Sequence, residues 1–120
     1  MKAKRTIGKE FEEKAATFLG SAGYRILDRN VNYKWGEIDL VVLDPMRNDL
    51  VFVEVRSRAE DAMVAPEETV GFSKLKRLTR AIDTYLVSDR YREKGLEPAG
   101  IRIDLVAFDG DRIAHWVNFV

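Results

Sequence analysis

The sequence predicts an α/β protein, a mixed sheet with helices against it, in the element order α-β-β-β-α-β-β. Three observations carry this expectation. Two short runs, Gly36–Val42 and Val51–Arg56, alternate apolar and polar residues with the period of two of a strand. Two longer segments instead repeat apolar residues at helical spacing. The chain has 120 residues, 46% of them hydrophobic, which suits one domain (1–120) with a packed core.

Ile7 to Ala22 reads as a helix, closed by Gly23, the residue type that tolerates left-handed geometry at a helix end. Ile7, Phe11, Ala15, Phe18 and Ala22 make its apolar stripe; Glu10 and Glu13 point away, and Glu12 lies at the edge. Tyr24 to Tyr33 reads as the first strand. The two alternating runs are the second and third, and the turn formers from Asp44 to Asp49 predict that they pair as an antiparallel hairpin. Ser57 to Gly71 has no clear period and is long for a loop, which marks it as a candidate functional segment. Phe72 to Val87 reads as the second helix, with Leu75, Leu78, Ile82, Tyr85 and Leu86 on its buried stripe. Lys76 and Arg80 lie opposite that stripe, while Lys74 and Arg77 flank it. After a loop from Lys94 to Gly100, Ile101 to Phe108 alternates as a fourth strand, Asp109 to Asp111 turns, and Ile113 to Val120 is the fifth strand.

Composition narrows the chemistry. No cysteine is present, so disulfides and thiolate metal sites are excluded, and one histidine, His115, excludes an intrachain multi-histidine zinc site. Any metal would be held mainly by Asp and Glu. The formal net charge is zero, so nucleic-acid binding would have to use local basic surface. No apolar run approaches a membrane span, and the basic N-terminus lacks the apolar stretch of a secretory signal. The expected location is the cytoplasm, with no membrane partner.

The hairpin brings acids together. Glu37 and Asp39 share one face of a strand, and Glu54 and Arg56 share one face of the next. Like charges on neighbouring strands destabilise a sheet, unless a hard cation sits between them. Asp39 and Glu54 are therefore candidate ligands for Mg²⁺ or Mn²⁺, which lowers the pKa of a bound water and favours attack on phosphorus. Glu12 could add an oxygen from the first helix, and Glu37 reads as a rim residue. Lys74, Lys76, Arg77 and Arg80 form a basic run suited to phosphate, although such runs are commonly solvated faces. Tyr33 and Trp35 could stack on a base, although packing is their commoner use. His115 reads as structural, and Arg102 with Asp104 as a surface ion pair.

These residues resemble the YraN family of small bacterial proteins. The resemblance rests on Gly36-Glu37-Ile38-Asp39-Leu40-Val41 followed by Val51-Phe52-Val53-Glu54-Val55-Arg56. It extends through Glu12-x-x-Ala15-Ala16-x-x-Leu19, Gly23-Tyr24-x-Ile26-Leu27-x-Arg29-Asn30, Lys74-x-x-Arg77-Leu78 and Arg102-Ile103-Asp104-Leu105-Val106. That family is similar to the restriction-endonuclease-like superfamily, the PD-(D/E)XK nucleases, and especially to archaeal Holliday-junction resolvases. The resemblance implies an α/β/α core and metal-dependent cleavage of DNA, branched or damaged DNA included. By it, Asp39 and Glu54 correspond to the metal-binding acids, Arg56 occupies the place of the motif lysine, and Glu12 matches the helix glutamate. The Val55 carbonyl would be a further metal oxygen.

The chain departs from the motif at Arg56, because arginine effectively cannot shed its proton and so cannot serve as a general base. It can still clamp a phosphate. Two other readings therefore stay open: a nucleic-acid-binding module with a degenerate site, and an adaptor that keeps only the fold. The oligomeric state is open too, a homodimer included.

Overall fold

The computed structural model describes residues 4–57 and 71–120, without the side chains of 4–8 and of Phe72. The elements are α1 (Lys4–Ser21), β1 (Arg25–Tyr33), β2 (Gly36–Asp44), β3 (Asp49–Ser57), α2 (Phe72–Leu86), α3 (Asp89–Arg92), β4 (Gly100–Asp109) and β5 (Arg112–Trp116). Among the described residues the expected order holds, with one short helix added. Most of the expected functional segment, residues 58–70, lies outside the described residues, as does the side chain of Ile7.

The five strands form one mixed sheet in the order β1-β2-β3-β4-β5. β3 and β4 run parallel and the other neighbours antiparallel. A parallel pair needs a crossover connection, and α2 lies on it. On one face α1 packs Ala15, Ala16 and Leu19 against Leu40, Val42, Val51, Val53, Val106 and Phe108. On the other face α2 packs Leu78, Ala81, Ile82 and Tyr85 against Val31, Ile38, Val41, Leu50 and Phe52. The result is an α/β/α core in which β2 and β3 are covered on both sides. That explains the unbroken apolar runs Leu40-Val41-Val42 and Leu50-Val51-Phe52-Val53, since a strand buried on both faces does not alternate.

Several local features follow from single residues. Gly23, at φ 98°, ends α1. Tyr24 N–H bonds the Leu19 carbonyl at 3.0 Å and Gly23 N–H bonds the Gly20 carbonyl at 3.1 Å, the double bond of a Schellman cap. The α1 stripe is rotated from the expected one, because Ala16 and Leu19 are buried and Ala22 is exposed. Ser88 caps α3 by accepting the Tyr91 N–H at 3.3 Å. β5 stops at Trp116 rather than Val120, because Asn118 turns to φ 53° and its N–H bonds Asp104 Oδ1 at 2.8 Å instead of a neighbouring strand.

One ion pair differs in kind from the sequence expectation. Arg102 and Asp104 are 7% and 0% exposed, so they are not a surface pair. Arg102 reaches Asp44 at 2.9 Å, Asp49 at 2.8 Å, Asp104 at 3.1 Å and the Tyr24 hydroxyl at 2.9 Å. His115 Nε2 lies 2.8 Å from Asp104 Oδ2, which gives the single histidine a structural partner. This network ties Tyr24, just before β1, to the β2–β3 hairpin, β4 and β5, on the side of β4 away from Glu54 and Arg56.

Candidate functional site

The hairpin strands stay in register from Asp44↔Asp49 to Leu40↔Val53 and then part. Beyond that point β2 continues beside β1 as far as Tyr33↔Gly36, while β3 continues beside β4 as far as Ser57↔Phe108. Alternation also breaks here: Ile38 and Val41 both face the α2 side, and Leu40 faces α1. Asp39 sits at the break. Its side chain takes the place of a ladder bond, with Oδ2 accepting the Val55 N–H at 2.8 Å. The parting leaves a cavity of about 150 Å³ lined by Phe11, Glu12, Glu37, Asp39, Glu54, Val55, Arg56, Ser57 and Lys74. It opens at the C-terminal end of β3, where ligand crevices of open α/β sheets form.

Every candidate catalytic and metal residue from the sequence, namely Glu12, Asp39, Glu54, Val55 and Arg56, lines this cavity. Asp39, Glu54 and Arg56 are 9%, 4% and 8% exposed. These three polar positions of the alternating runs are thus buried rather than solvated, while Glu37 is exposed, as a rim residue is. The basic run divides. Lys74 lines the acid cavity and places Nζ 2.8 Å from Glu54 Oε1. Arg77 lines a neighbouring cleft. Arg80 is exposed, as expected of the face opposite the stripe, and lays its guanidinium over the Trp35 ring at 5.0 Å. Lys76 is exposed. The sequence suggests for Lys74 only a phosphate contact. Its place at Glu54 comes from the packing of α2 on the hairpin, which one helix wheel does not reveal.

The electrostatics are those of crowded carboxylates. Burial pushes the Asp39 carboxyl well above the usual carboxylate range; repulsion from Glu54, Glu12 and Glu37 adds to this, and the Val55 N–H opposes it. Glu12 is raised as well, chiefly by burial, with repulsion from Glu37 and Glu54 against hydrogen bonding toward Asp39 and Asn30. Glu12 Oε1 is buried without a hydrogen-bond partner among the described residues. Glu54 is compensated differently, by Lys74 and by Arg56, whose Nε lies 3.6 Å from Oε1.

The donors are hard oxygens, one of them unpartnered. Among the described residues no group of three His, Cys, Asp or Glu side chains is placed to hold a metal ion. Mg²⁺ commonly binds through only one or two carboxylates and keeps several waters, so Asp39 and Glu54 fit such an ion.

This crowding sets a stability prediction. A carboxyl with a raised folded pKa costs the native state stability, fully above that pKa, and the cost fades as pH falls through it toward about 4. Asp39→Asn keeps an acceptor for the Val55 N–H and removes the charge. Urea unfolding of the metal-free protein at pH 7 should show the variant equally stable or more stable, by about 0.5–2 kcal/mol. The difference should shrink as the buffer is acidified. A clear loss at pH 7 would mean that the charge stabilises the fold.

No helix among the described residues is long and apolar enough to cross a membrane. The sequence profile of Uncharacterised protein family UPF0102 matches residues 11–108, which include every element from α1 to β4 in whole or in part. A UPF0102 protein of Anaeromyxobacter dehalogenans is 42% identical, over 94% of this chain and 92% of its own length. Another, of Pelobacter propionicus, is 38% identical over 95% of this chain and 81% of its own. A third, of Persephonella marina, is 32% identical over 92% and 90%. A profile match across most of the chain and relatives this similar place it: the chain belongs to family UPF0102, the YraN family.

Proposed function

We propose that this chain is a metal-dependent DNA endonuclease that hydrolyses phosphodiesters, with branched or damaged DNA among its substrates. The observation that carries the reading is the meeting of carboxylates from α1, β2 and β3 with cations from β3 and α2 in one small cavity. Asp39 and Glu54 would hold Mg²⁺ or Mn²⁺, which supplies Lewis-acid chemistry toward a phosphodiester. Arg56 and Lys74 would neutralise charge that develops on phosphoryl oxygens, a role that needs fixed cations and no proton transfer. Glu12, with Oε1 unpartnered, can accept a hydrogen bond from a water and so orient it. Lys74 lines the cavity and Arg77 the adjoining cleft, whereas Lys76 lines neither, which suits the first two as phosphate contacts.

The test is cleavage of linear, nicked, flapped and four-way DNAs with Mn²⁺. Cleavage of at least one DNA is expected, lost with chelator and in Asp39→Asn. Mn²⁺ should also raise the melting temperature of the wild type and not of Asp39→Asn, because a ligand stabilises only the state that binds it. Salt-sensitive DNA binding without any cleavage would replace this reading with a binding module whose Glu54 is already neutralised by Lys74. Absence of DNA binding would leave an adaptor.

A further inference from the structure

A second cleft, of about 440 Å³, adjoins the acid cavity and shares Glu37, Glu54 and Lys74 with it. It falls within the range of about 300–1,000 Å³ seen for pockets that bury small-molecule ligands. Its walls are the turn between β1 and β2 and the first turns of α2. Gly36 makes the close approach possible, because a Cβ there would lie 2.5 Å from the Arg77 carbonyl oxygen. Any side chain at this position would drive the hairpin off the helix.

The lining is mixed in a specific way. Tyr33 and Trp35 lie nearly parallel, with ring centroids 6.0 Å apart and planes 9° apart. Trp35 is held in place from α2, its indole N–H donating to Thr84 Oγ1 at 3.1 Å and Arg80 covering its ring. Leu78 is apolar, and Lys34, Lys74 and Arg77 are cationic. Asn32 donates Nδ2 to the Asn30 carbonyl at 3.1 Å, and its side-chain carbonyl can still accept.

We infer that this cleft is a subsite for one unpaired nucleotide: its base stacks on the Tyr33–Trp35 platform, and its phosphates meet Lys34, Lys74 and Arg77. An aromatic platform beside cations is how proteins hold single strands, since every base has a π-face. A base paired within a duplex does not present that face. On the nuclease reading, on which this part rests, the nucleotide lies next to the cleaved phosphate. The substrate is then DNA with a single-stranded stretch at the acid cavity, a flap or a splayed junction rather than continuous duplex.

The test uses Trp116→Phe protein, in which Trp35 is the remaining tryptophan, free of metal so that cleavage plays no part. Titration with single-stranded oligothymidine should quench Trp35 fluorescence at low salt and bind more tightly than blunt duplex of the same length. Tyr33→Leu should weaken single-strand binding by about 5- to 150-fold, the value of one base–aromatic stack. Tyr33→Phe should keep it, and duplex binding should change in neither. An unchanged single-strand affinity in folded Tyr33→Leu protein, or equal affinity for duplex, would overturn the subsite. The two readings separate cleanly. Ring-dependent single-strand binding without cleavage on any DNA keeps the subsite and removes the nuclease. Cleavage that ignores both single-stranded character and Tyr33 does the reverse.

Discussion

Arg102→Met should lower the free energy of unfolding by about 3–5 kcal/mol, the cost of removing one partner from a buried ionic network. Against a total of roughly 5–15 kcal/mol for a small domain, this is a large share of the whole stability. Arg102 is the cation shared by Asp44, Asp49 and Asp104. Burial alone would raise the Asp104 carboxyl, but hydrogen bonds from His115, Arg102 and the Asn118 N–H outweigh it and hold the carboxyl below the usual range. Asp44 is lowered in the same way, with burial opposed by Arg102 and by the Met46 and Arg47 N–H groups.

The pH signature follows. A lowered folded pKa stabilises the fold above about 4, and that stability is lost as pH falls through the folded value. In Arg102→Met, Asp104 keeps His115 and the Asn118 N–H but loses its cation, and acid relieves the repulsion among the three carboxylates. The gap between wild type and variant in urea unfolding should therefore narrow toward pH 4 and below. Tyr24→Phe, which removes one neutral partner of Arg102, should cost only about 1 kcal/mol. A loss for Arg102→Met as small as that would mean that the network is not what holds the strands together.

The contrast between Arg102 and the acid cavity shows what the sequence could display. Strand alternation and turn formers placed the hairpin, and with it Asp39, Glu54 and Arg56 on neighbouring strands. Two helical stripes placed α1 and α2 against the sheet, and Glu12 at a stripe edge. Burial was less legible. Arg102 and Asp104 sit two apart on one strand, as any surface pair would, and only Asp44 and Asp49 arriving from the far hairpin end make them interior. The parting of β2 from β3 was not legible either, because it depends on which neighbour each strand follows. α3 does carry a local signal, Ser88-Asp89 at a helix start, but at four residues it is too short to show a helical period. The same limit applies to Lys74: a wheel shows that it flanks the apolar stripe, but only the packing of α2 on β3 brings it to Glu54.

In the proposed nuclease, Lys74→Gln should reduce cleavage at saturating DNA by about 10²–10³-fold, the effect of removing one fixed donor from a developing charge. Arg56 already contributes a guanidinium at 3.6 Å from Glu54, so the cavity does not lack positive charge. What it lacks without Lys74 is a compact ammonium. Lys74 is 37% exposed while Glu54 is 5% exposed at the side chain, so Nζ can reach both the buried acid and an incoming phosphate. A lysine presents three rotatable donors on one point charge, whereas arginine presents a planar fork that two oxygens must match. Lys74→Arg therefore separates the roles. If Lys74 only neutralises Glu54 or attracts DNA, arginine restores cleavage, affinity and melting temperature together. If the ammonium acts at the reacting phosphate, Lys74→Arg binds DNA as tightly as the wild type and melts with it, but cleaves at least about tenfold more slowly, a loss of about 1.4 kcal/mol of transition-state stabilisation. We expect the second pattern. Full cleavage by Lys74→Arg would reduce Lys74 to a counter-charge, and full cleavage by Lys74→Gln would remove it from the reaction.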